Sequence, residues 1–217
     1  MLDFAQARRL MVDCQLRTFD VNDNAVLDAF DAVPRERFVP AGREAFAYID
    51  QTLRIDTAGD EPRFVPAPMV LARLIQALAL KPGSRALDVA GGYGYGAALM
   101  AELGARVTAV ESVPALAAEA RQRLDGRAEI VEGPVARGAP DKGPYDAILI
   151  NGRVETRPQA LLEQLADDGR LVCVLGPERA AKATVFVRAG DAFGSRPLVG
   201  AALPGLSAFA AEAGFAF

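Results

Sequence analysis

From residue 85 onward the chain alternates short apolar runs with stretches of helical period. Runs of four to six apolar residues predict strands, and the stretches between them, with apolar positions three or four apart, predict helices. The predicted strands are 85–90, 106–110, 128–131, 145–150 and 170–175. The predicted helices are 96–103, 114–124 and 158–166. Because strands and helices alternate, the pattern predicts a parallel α/β sheet with right-handed crossovers.

The last 35 or so residues show a different pattern. Two further strands, 184–187 and 197–203, are joined by a glycine-rich link with no helix between them. Parallel neighbours need a long crossover, so these two predict an antiparallel hairpin at the sheet edge. The predicted fold class is α/β: a Rossmann-like, seven-stranded, mostly parallel sheet with an antiparallel C-terminal edge hairpin and an N-terminal helical subdomain.

The first 80 residues are predicted to be mainly helical. An amphipathic helix is predicted over 2–16, a second one is capped by Asn22 or Asp23 and ends before Pro34, and a third covers 69–80. Between them, 50–68 is predicted to be an irregular loop. We therefore divide the chain into an N-terminal helical segment with this loop, 1–80, and an α/β domain, 81–217, which together form one compact unit.

Composition narrows the function classes. With 217 residues, 51% hydrophobic and 24% charged, the chain is long enough to bury a full core in one domain. A net charge of −4 argues against a broad electrostatic grip on nucleic acid. No apolar run approaches the roughly 20 residues of a membrane helix, and no signal-peptide core is evident. We expect a cytoplasmic protein without a nucleic-acid or membrane partner, and leave its oligomeric state open.

The chain has two cysteines, Cys14 and Cys173, and no histidine. A zinc site normally draws on several such ligands, so we predict no metal. Nucleophiles activated by histidine are also excluded. Chemistry must come from carboxylates, hydroxyls, amides or a bound cofactor.

The segment 85–96 reads RALDVAGGYGYG and is the most informative motif. An apolar run ends near an acid, Asp88, and four glycines follow before a helix-forming stretch. Such a turn lets a ligand approach the backbone at a helix N-terminus. A second acid, Glu111, follows 23 positions after Asp88, where a carboxylate can accept hydrogen bonds from the hydroxyls of a ribose. The pattern indicates a binder of a nucleoside cofactor.

Two cofactors are compatible with the turn. The residues from Gly92 to Ala97 satisfy G-x-G-x-x-A, the dinucleotide pattern. A carboxylate at Asp88, however, disfavours a pyrophosphate and favours the sulfonium and ammonium groups of S-adenosylmethionine (SAM). The terminal hairpin also suits a methyltransferase sheet, so SAM is favoured over NAD. Purely structural interpretations stay open: a turn for close helix packing, Asp88 as a helix N-cap, and Glu111 as a solvated acid.

With these residues in place, the chain resembles the protein-L-isoaspartate O-methyltransferases from about residue 11 to 203. The segment AVPRERFVP at 32–40 resembles the family's VPRExFVP, and LDVAGGYGY at 87–95 resembles its LEIGTGSGY turn. Shorter similar segments lie at 48–50, 53–55, 145–148, 158–161 and 168–172. The resemblance implies an enzyme that uses SAM to methylate isoaspartyl carboxylates of damaged proteins or peptides, leaving S-adenosylhomocysteine. The ester then collapses to a succinimide that can reopen as aspartate.

The resemblance also implies a set of cofactor-binding residues. The turn would surround the methionine part of SAM, Glu111 would hold the ribose, and 133–135 would flank the adenine. The residues placed at the cofactor are Asp88, Ala90, Gly91, Gly92, Gly94, Tyr95, Glu111, Ser112, Gly133, Pro134, Val135 and Asn151. Since a carboxylate is already a nucleophile at neutral pH, the absence of histidine is compatible with this chemistry.

The departures from the family cluster at the active site. Val65 stands where the family has a substrate-binding serine, so no catalytic residue is assigned, and Thr57 is the nearest alternative hydroxyl. Tyr93 is expected to crowd the sulfonium or form an aromatic wall beside it. The substrate-binding candidates are Arg63, Val65 and Arg153, the two arginines for an anionic substrate unless they are solvated surface residues.

Three hypotheses remain. The first is a SAM-dependent methyltransferase of this family whose repair activity is weak or redirected to another acceptor. The second is a non-catalytic relative that binds a protein partner, suggested by Val65, Ala90 and Pro134. The third is an NAD-dependent oxidoreductase.

Overall fold

The structure is a computed structural model, and it describes residues 3–57 and 61–211. The α-helices of the described chain are α1 (Phe4–Met11), α2 (Asn24–Ala32), α3 (Pro68–Leu78), α4 (Tyr95–Glu102), α5 (Pro114–Leu124) and α6 (Gln159–Leu162). The strands are β1 (Leu53–Ile55), β2 (Arg63–Val65), β3 (Arg85–Val89), β4 (Arg106–Glu111), β5 (Ala128–Glu132), β6 (Tyr145–Val154), β7 (Leu165–Leu175), β8 (Lys182–Ala189) and β9 (Ala192–Gly200). None of the helices in the described ranges has the length and apolarity needed to cross a bilayer.

Seven strands form the central sheet in the order β5-β4-β3-β6-β7-β8-β9. The pairs from β5 to β7 are parallel, and the pairs β7–β8 and β8–β9 are antiparallel. This confirms the predicted α/β class with an antiparallel C-terminal edge. Chain order reverses direction between β3 and β6, and in open α/β sheets a ligand crevice lies outside the carboxyl ends of the strands at such a point.

The inner strands form where the sequence is apolar on both faces. In β6, for example, nine of the ten residues are buried, as expected of a strand covered by helices on both sides. The second helix starts at a side-chain cap: the Asp23 carboxylate accepts the N–H groups of Ala25 and Val26 at the start of α2. Of the two cap candidates, the structure selects Asp23.

The N-terminal helices pack directly on the sheet. One hydrophobic cluster contains Leu16 and Phe30 from the N-terminal segment together with Ala147 and Val172 from the sheet. A continuous core of this kind ties the two parts of the chain together. The boundary at residue 80 stays a prediction. The outermost residues of the two predicted parts, 1–2 and 212–217, lie outside the described chain.

Several predicted elements need correction. The region 50–68 contains a short antiparallel hairpin of β1 and β2, where Leu53 pairs with Val65, while residues 58–60 of this region lie outside the described chain. The predicted helix over 158–166 shortens to α6 because β7 already begins at Leu165, opposite Tyr145. The last strand begins at Ala192, since a two-residue turn brings it opposite Ala189.

The first helix also differs from its prediction. Residue 2 of the predicted span lies outside the described chain. After Met11 the α-helix widens into a π-helical turn, Val12–Leu16. The wider turn lets Met11, Val12 and Leu16 all reach the core.

Candidate functional site

The glycine turn lies at the carboxyl end of β3, at the crevice beside β6. It leads into α4, whose N-cap is Gly94 with φ 89°, a left-handed conformation that glycine adopts without strain. Ala90 also has a positive φ, 57°. A left-handed conformation costs an L-residue roughly 1–2 kcal/mol, so Ala90 makes this turn more strained than a glycine would.

Asp88 lies beneath the turn and is fully buried. Its carboxylate accepts the backbone N–H of Ala97 (3.1 Å) in the first turn of α4 and the side-chain amide of Asn151 (2.6 Å). A Cβ on Gly91 would lie 2.3 Å from Asp88 Oδ2, so the absence of a side chain there is what lets the turn pass over the carboxylate. Desolvation raises the pKa of Asp88 to about 7.

The structure thus brings two predicted cofactor residues, Asp88 and Asn151, into contact across the crevice between β3 and β6. The structure does not support the expected attraction between an ionised Asp88 and the positively charged groups of SAM. That attraction needs an ionised carboxylate facing a cationic ligand, but Asp88 faces the start of α4, and burial favours its neutral form. Asp88 is not the N-cap of α4, which is Gly94, but its carboxylate accepts an N–H group of the first helical turn.

Glu111 lies at the carboxyl end of β4 and is 3% exposed. Its carboxylate accepts three backbone N–H groups, from Gly92 (3.2 Å), Ser112 (2.9 Å) and Val113 (3.2 Å). Arg63 Nε also donates to it, at 3.0 Å from Oε1 and 3.2 Å from Oε2. The alternative of a solvated Glu111 is wrong, since this carboxylate is buried and fully hydrogen-bonded.

Arg63 is 2% exposed, and its guanidinium points into the same cluster. Its Nη2 atom donates to Ser112 Oγ at 2.6 Å and lies 3.4 Å from a carboxylate oxygen of Glu61. The prediction that Arg63 receives an anionic substrate requires a free guanidinium. In the structure this cation is already paired with Glu111.

The other substrate candidates also have partners within the protein. Val65 is 2% exposed and belongs to the main hydrophobic cluster. Arg153 Nη1 donates to Glu155 (2.7 Å) and to the carbonyl of Gly176 (3.2 Å), so it is not a solvated surface residue. Thr57 Oγ1 donates to the carbonyl of Glu61 at 3.2 Å. Substrate contacts of these residues stay predictions.

The rings of the two tyrosines of the turn pack against other parts of the protein. The Arg123 guanidinium lies 3.7 Å from the centre of the Tyr93 ring, so Tyr93 faces α5 and does not form a wall beside the glycines. Tyr95 is buried, with Arg35 5.2 Å over its ring and Phe38 5.6 Å away. Burial raises its pKa, and its ring is part of the interface between the N-terminal segment and α4.

A cavity of about 360 Å³ lies beside the residues expected at the adenine. Its lining comprises Glu61, Ser112, Gly133, Pro134, Val135, Ala136 and Ala208. This volume falls within the range of small-ligand sites, roughly 300–1,000 Å³. Ser112 connects the cavity to the Arg63–Glu111 pair.

The β1–β2 hairpin covers the glycine turn, which was not expected from the sequence. A Cβ on Gly92 would lie 2.7 Å from Ile55 Cδ1 and 3.4 Å from Arg63 Cβ, so the hairpin packs directly on the turn. In β1 the sequence alternates apolar and polar residues as the burial does, but in β2 a buried arginine and a less buried Phe64 reverse that pattern, so the sequence carries no clear signal for the hairpin.

The arrangement accommodates the implied cofactor only in part. The cavity has a suitable size for a nucleobase. Glu111, at the end of β4, is the acid that was expected at the ribose. The carboxylate that a ribose would need, however, is saturated by Arg63 and three backbone donors. In this conformation the residues present do not fit the ribose of SAM.

Comparison with known proteins finds the same family over most of the chain. Residues 6–198 match the family model described as protein-L-isoaspartate(D-aspartate) O-methyltransferase. A protein-L-isoaspartate O-methyltransferase of Methylorubrum extorquens is 41% identical over 198 residues, covering 89% of this chain and 85% of the relative. Its counterpart in Methylorubrum populi is 43% identical over 180 residues, covering 82% of each chain.

Solved structures show the same fold. A structure of a protein-L-isoaspartate O-methyltransferase superposes with a TM-score of 0.80 at 23% identity, covering 92% of this chain and 66% of that one. A putative enzyme of the same name from Plasmodium falciparum, in complex with S-adenosyl-L-homocysteine, gives a TM-score of 0.75 at 20% identity over 93% of this chain and 98% of that one.

Proposed function

Because this chain belongs to the protein-L-isoaspartate O-methyltransferase family, we propose that it is a SAM-dependent methyltransferase whose acceptor is a carboxylate of a protein or peptide. The observation that carries this proposal is the position of Glu111. It lies at the end of β4, hydrogen-bonded to Gly92 of the glycine turn and next to the cavity lined by Pro134. The sheet topology and the family match over residues 6–198 support the same assignment.

The chemistry asks the protein for positioning more than for proton transfer. SAM, when bound, supplies an electrophilic methyl group, and a carboxylate acceptor is already ionised at neutral pH. No strong base is needed, which suits a chain without histidine. The contribution of the protein is to hold the acceptor in line at a distance of a few ångströms.

We propose that transfer to an isoaspartyl acceptor is slow. Val65, at the position of the family's substrate-binding serine, is buried and carries no hydroxyl. Losing one hydrogen bond to a charged group costs about 1.5–3 kcal/mol, or roughly 10- to 150-fold in rate. A cytoplasmic location stays a prediction from the sequence.

Two measurements test the proposal. Calorimetry with SAM and with S-adenosylhomocysteine should show binding, and transfer of a radiolabelled methyl group should be detectable on an isoaspartyl peptide. The matched control is the same peptide with a normal aspartate, which should take up no label. Absence of cofactor binding at millimolar concentration would contradict the proposal.

The alternatives have distinct outcomes in the same assays. The pairing of Arg63 with Glu111 is the observation that favours a non-catalytic binding protein. Binding of cofactor without label in any peptide or protein acceptor would support that role. Binding of NAD in place of SAM would indicate an oxidoreductase.

A further inference from the structure

We propose that Arg63 occupies the position of the cofactor's ribose, so that SAM binds only when this side chain leaves Glu111. The inference rests on the proposed function, because it concerns how that cofactor gains its site. It assigns to Arg63 a role in controlling cofactor affinity, in place of the substrate contact expected from the sequence.

All the acceptor positions of the Glu111 carboxylate are occupied. A carboxylate has about four acceptor positions, and here two are taken on Oε1 by the N–H groups of Ser112 and Val113 and one on Oε2 by Gly92. Arg63 Nε lies 3.0 and 3.2 Å from the two oxygens and occupies the remaining acceptor position. The other three donors belong to the backbone that shapes the turn and the start of α5, so Arg63 is the donor that a ribose can replace.

The β1–β2 hairpin also packs directly on the glycine turn. The hairpin residues Ile55 and Arg63 lie within van der Waals reach of the Gly92 backbone, as the short distances from a Cβ built there show. A glycine turn serves a nucleoside because the ligand can approach its backbone closely. Here the side chains of Ile55 and Arg63 already occupy the space next to the backbone that a ligand would need.

Arg63 is held in place by more than one acidic group. Its guanidinium lies between Glu111 and Glu61, and it donates to Ser112 Oγ. Glu61 is in turn held by Ser207 Oγ at 2.8 Å. Removing one long side chain would thus open the ribose position while leaving both acids and their backbone donors in place.

A competition of this kind lowers apparent affinity by the fraction of molecules in which the site is open. If that fraction is between about 0.1 and 10%, the range usual for minor conformations, a variant without the guanidinium gains roughly 10- to 1,000-fold in affinity. The expected effect is therefore at least a tenfold tightening.

The experiment is calorimetry of S-adenosylhomocysteine with the full chain and three variants. Arg63→Ala removes the competing group, and Arg63→Met removes its charge while keeping most of its apolar stem. Arg54→Ala is the matched control, since Arg54 is an exposed arginine of the same hairpin that pairs with Asp56 at 2.9 Å. Circular dichroism and urea denaturation verify that each variant is folded.

Tightening of at least tenfold in both Arg63 variants, with Arg54→Ala unchanged, supports the inference. Equal affinity of the wild type and both folded Arg63 variants overturns it and leaves the proposed function standing. Tightening by Arg54→Ala as well also overturns it, because the effect would then be general charge removal. If neither the wild type nor either variant binds the cofactor at millimolar concentration, both the inference and the proposed function fail.

Discussion

Replacing Glu111 with glutamine should destabilise the protein far more than removing its partner does. The variant keeps the size of the side chain but leaves the Arg63 guanidinium, 2% exposed, without its buried counter-charge. Breaking a buried ion pair from one side typically costs 3–5 kcal/mol, so we expect the free energy of unfolding to fall by about 4 kcal/mol.

The converse variant, Arg63→Met, should cost no more than about 2 kcal/mol. The Glu111 carboxylate retains three backbone N–H donors, so it is not left uncompensated. Combining both changes should recover at least 1 kcal/mol relative to Glu111→Gln alone, since the buried guanidinium, left with only the exposed Glu61 as a counter-charge, is then gone.

The assay is urea denaturation at pH 7, followed by circular dichroism, on the two single variants and the double variant. The pair Arg54–Asp56 provides the control, because its side chains are 64% and 87% exposed. Disrupting it should change stability by less than about 1 kcal/mol. If Glu111→Gln costs no more than this control, or if the double variant is no better than the single one, the description of a buried guanidinium that depends on Glu111 is wrong.

Three further predictions concern buried groups elsewhere in the site and the core. Val65→Thr, a nearly isosteric change, should lower stability by about 1–3 kcal/mol, because it places a hydroxyl in the hydrophobic cluster; urea denaturation measures this. Burial raises the pKa of Asp88 from 3.8 to about 7, so its stabilising contribution is present below pH 4 and is lost as the pH rises to 7. Between pH 5 and pH 8 this loss should amount to about 3 kcal/mol in the wild type, and the Asp88→Asn variant should lack it. Finally, Cys14 is exposed, whereas Cys173 is buried and its pKa is raised to about 12, so a thiol reagent should titrate one cysteine in the native protein and two after unfolding.

Each of these has an outcome that contradicts it. A Val65→Thr variant as stable as the wild type would mean that the hydroxyl reaches a partner. An unchanged pH dependence in Asp88→Asn would show that Asp88 is already ionised in the folded state. Rapid reaction of two thiols in the native protein would show that Cys173 is accessible.

Much of the fold was predictable because its elements are long and their period is clear. Strands β3, β4 and β6 each contain short apolar runs, and all but one residue of each strand is buried. The missing helix between β8 and β9 indicated an antiparallel edge. The hairpin of β1 and β2 was missed because each strand has only three residues, too few for alternation to distinguish a strand from a loop.

The site was predictable in its residues but not in their partners. Asp88, Glu111 and Asn151 were named from motif positions, and they do lie together at the carboxyl ends of the strands. Nothing local in the sequence indicates that Arg63 pairs with an acid 48 positions away. Nor does it indicate that Asp88 points beneath the turn, since that depends on the side chain missing at Gly91.

The segment after β9 bears on how the protein should be prepared for any of these experiments. Its backbone bonds to the end of β6, with Leu206 donating to Arg153 and Glu155 donating to Phe209, and Ala208 lines the cavity next to Pro134. A fusion partner or affinity tag that pulls this segment outward would remove one wall of that cavity. Tags for affinity measurements therefore belong at the amino end, with a cleavable linker.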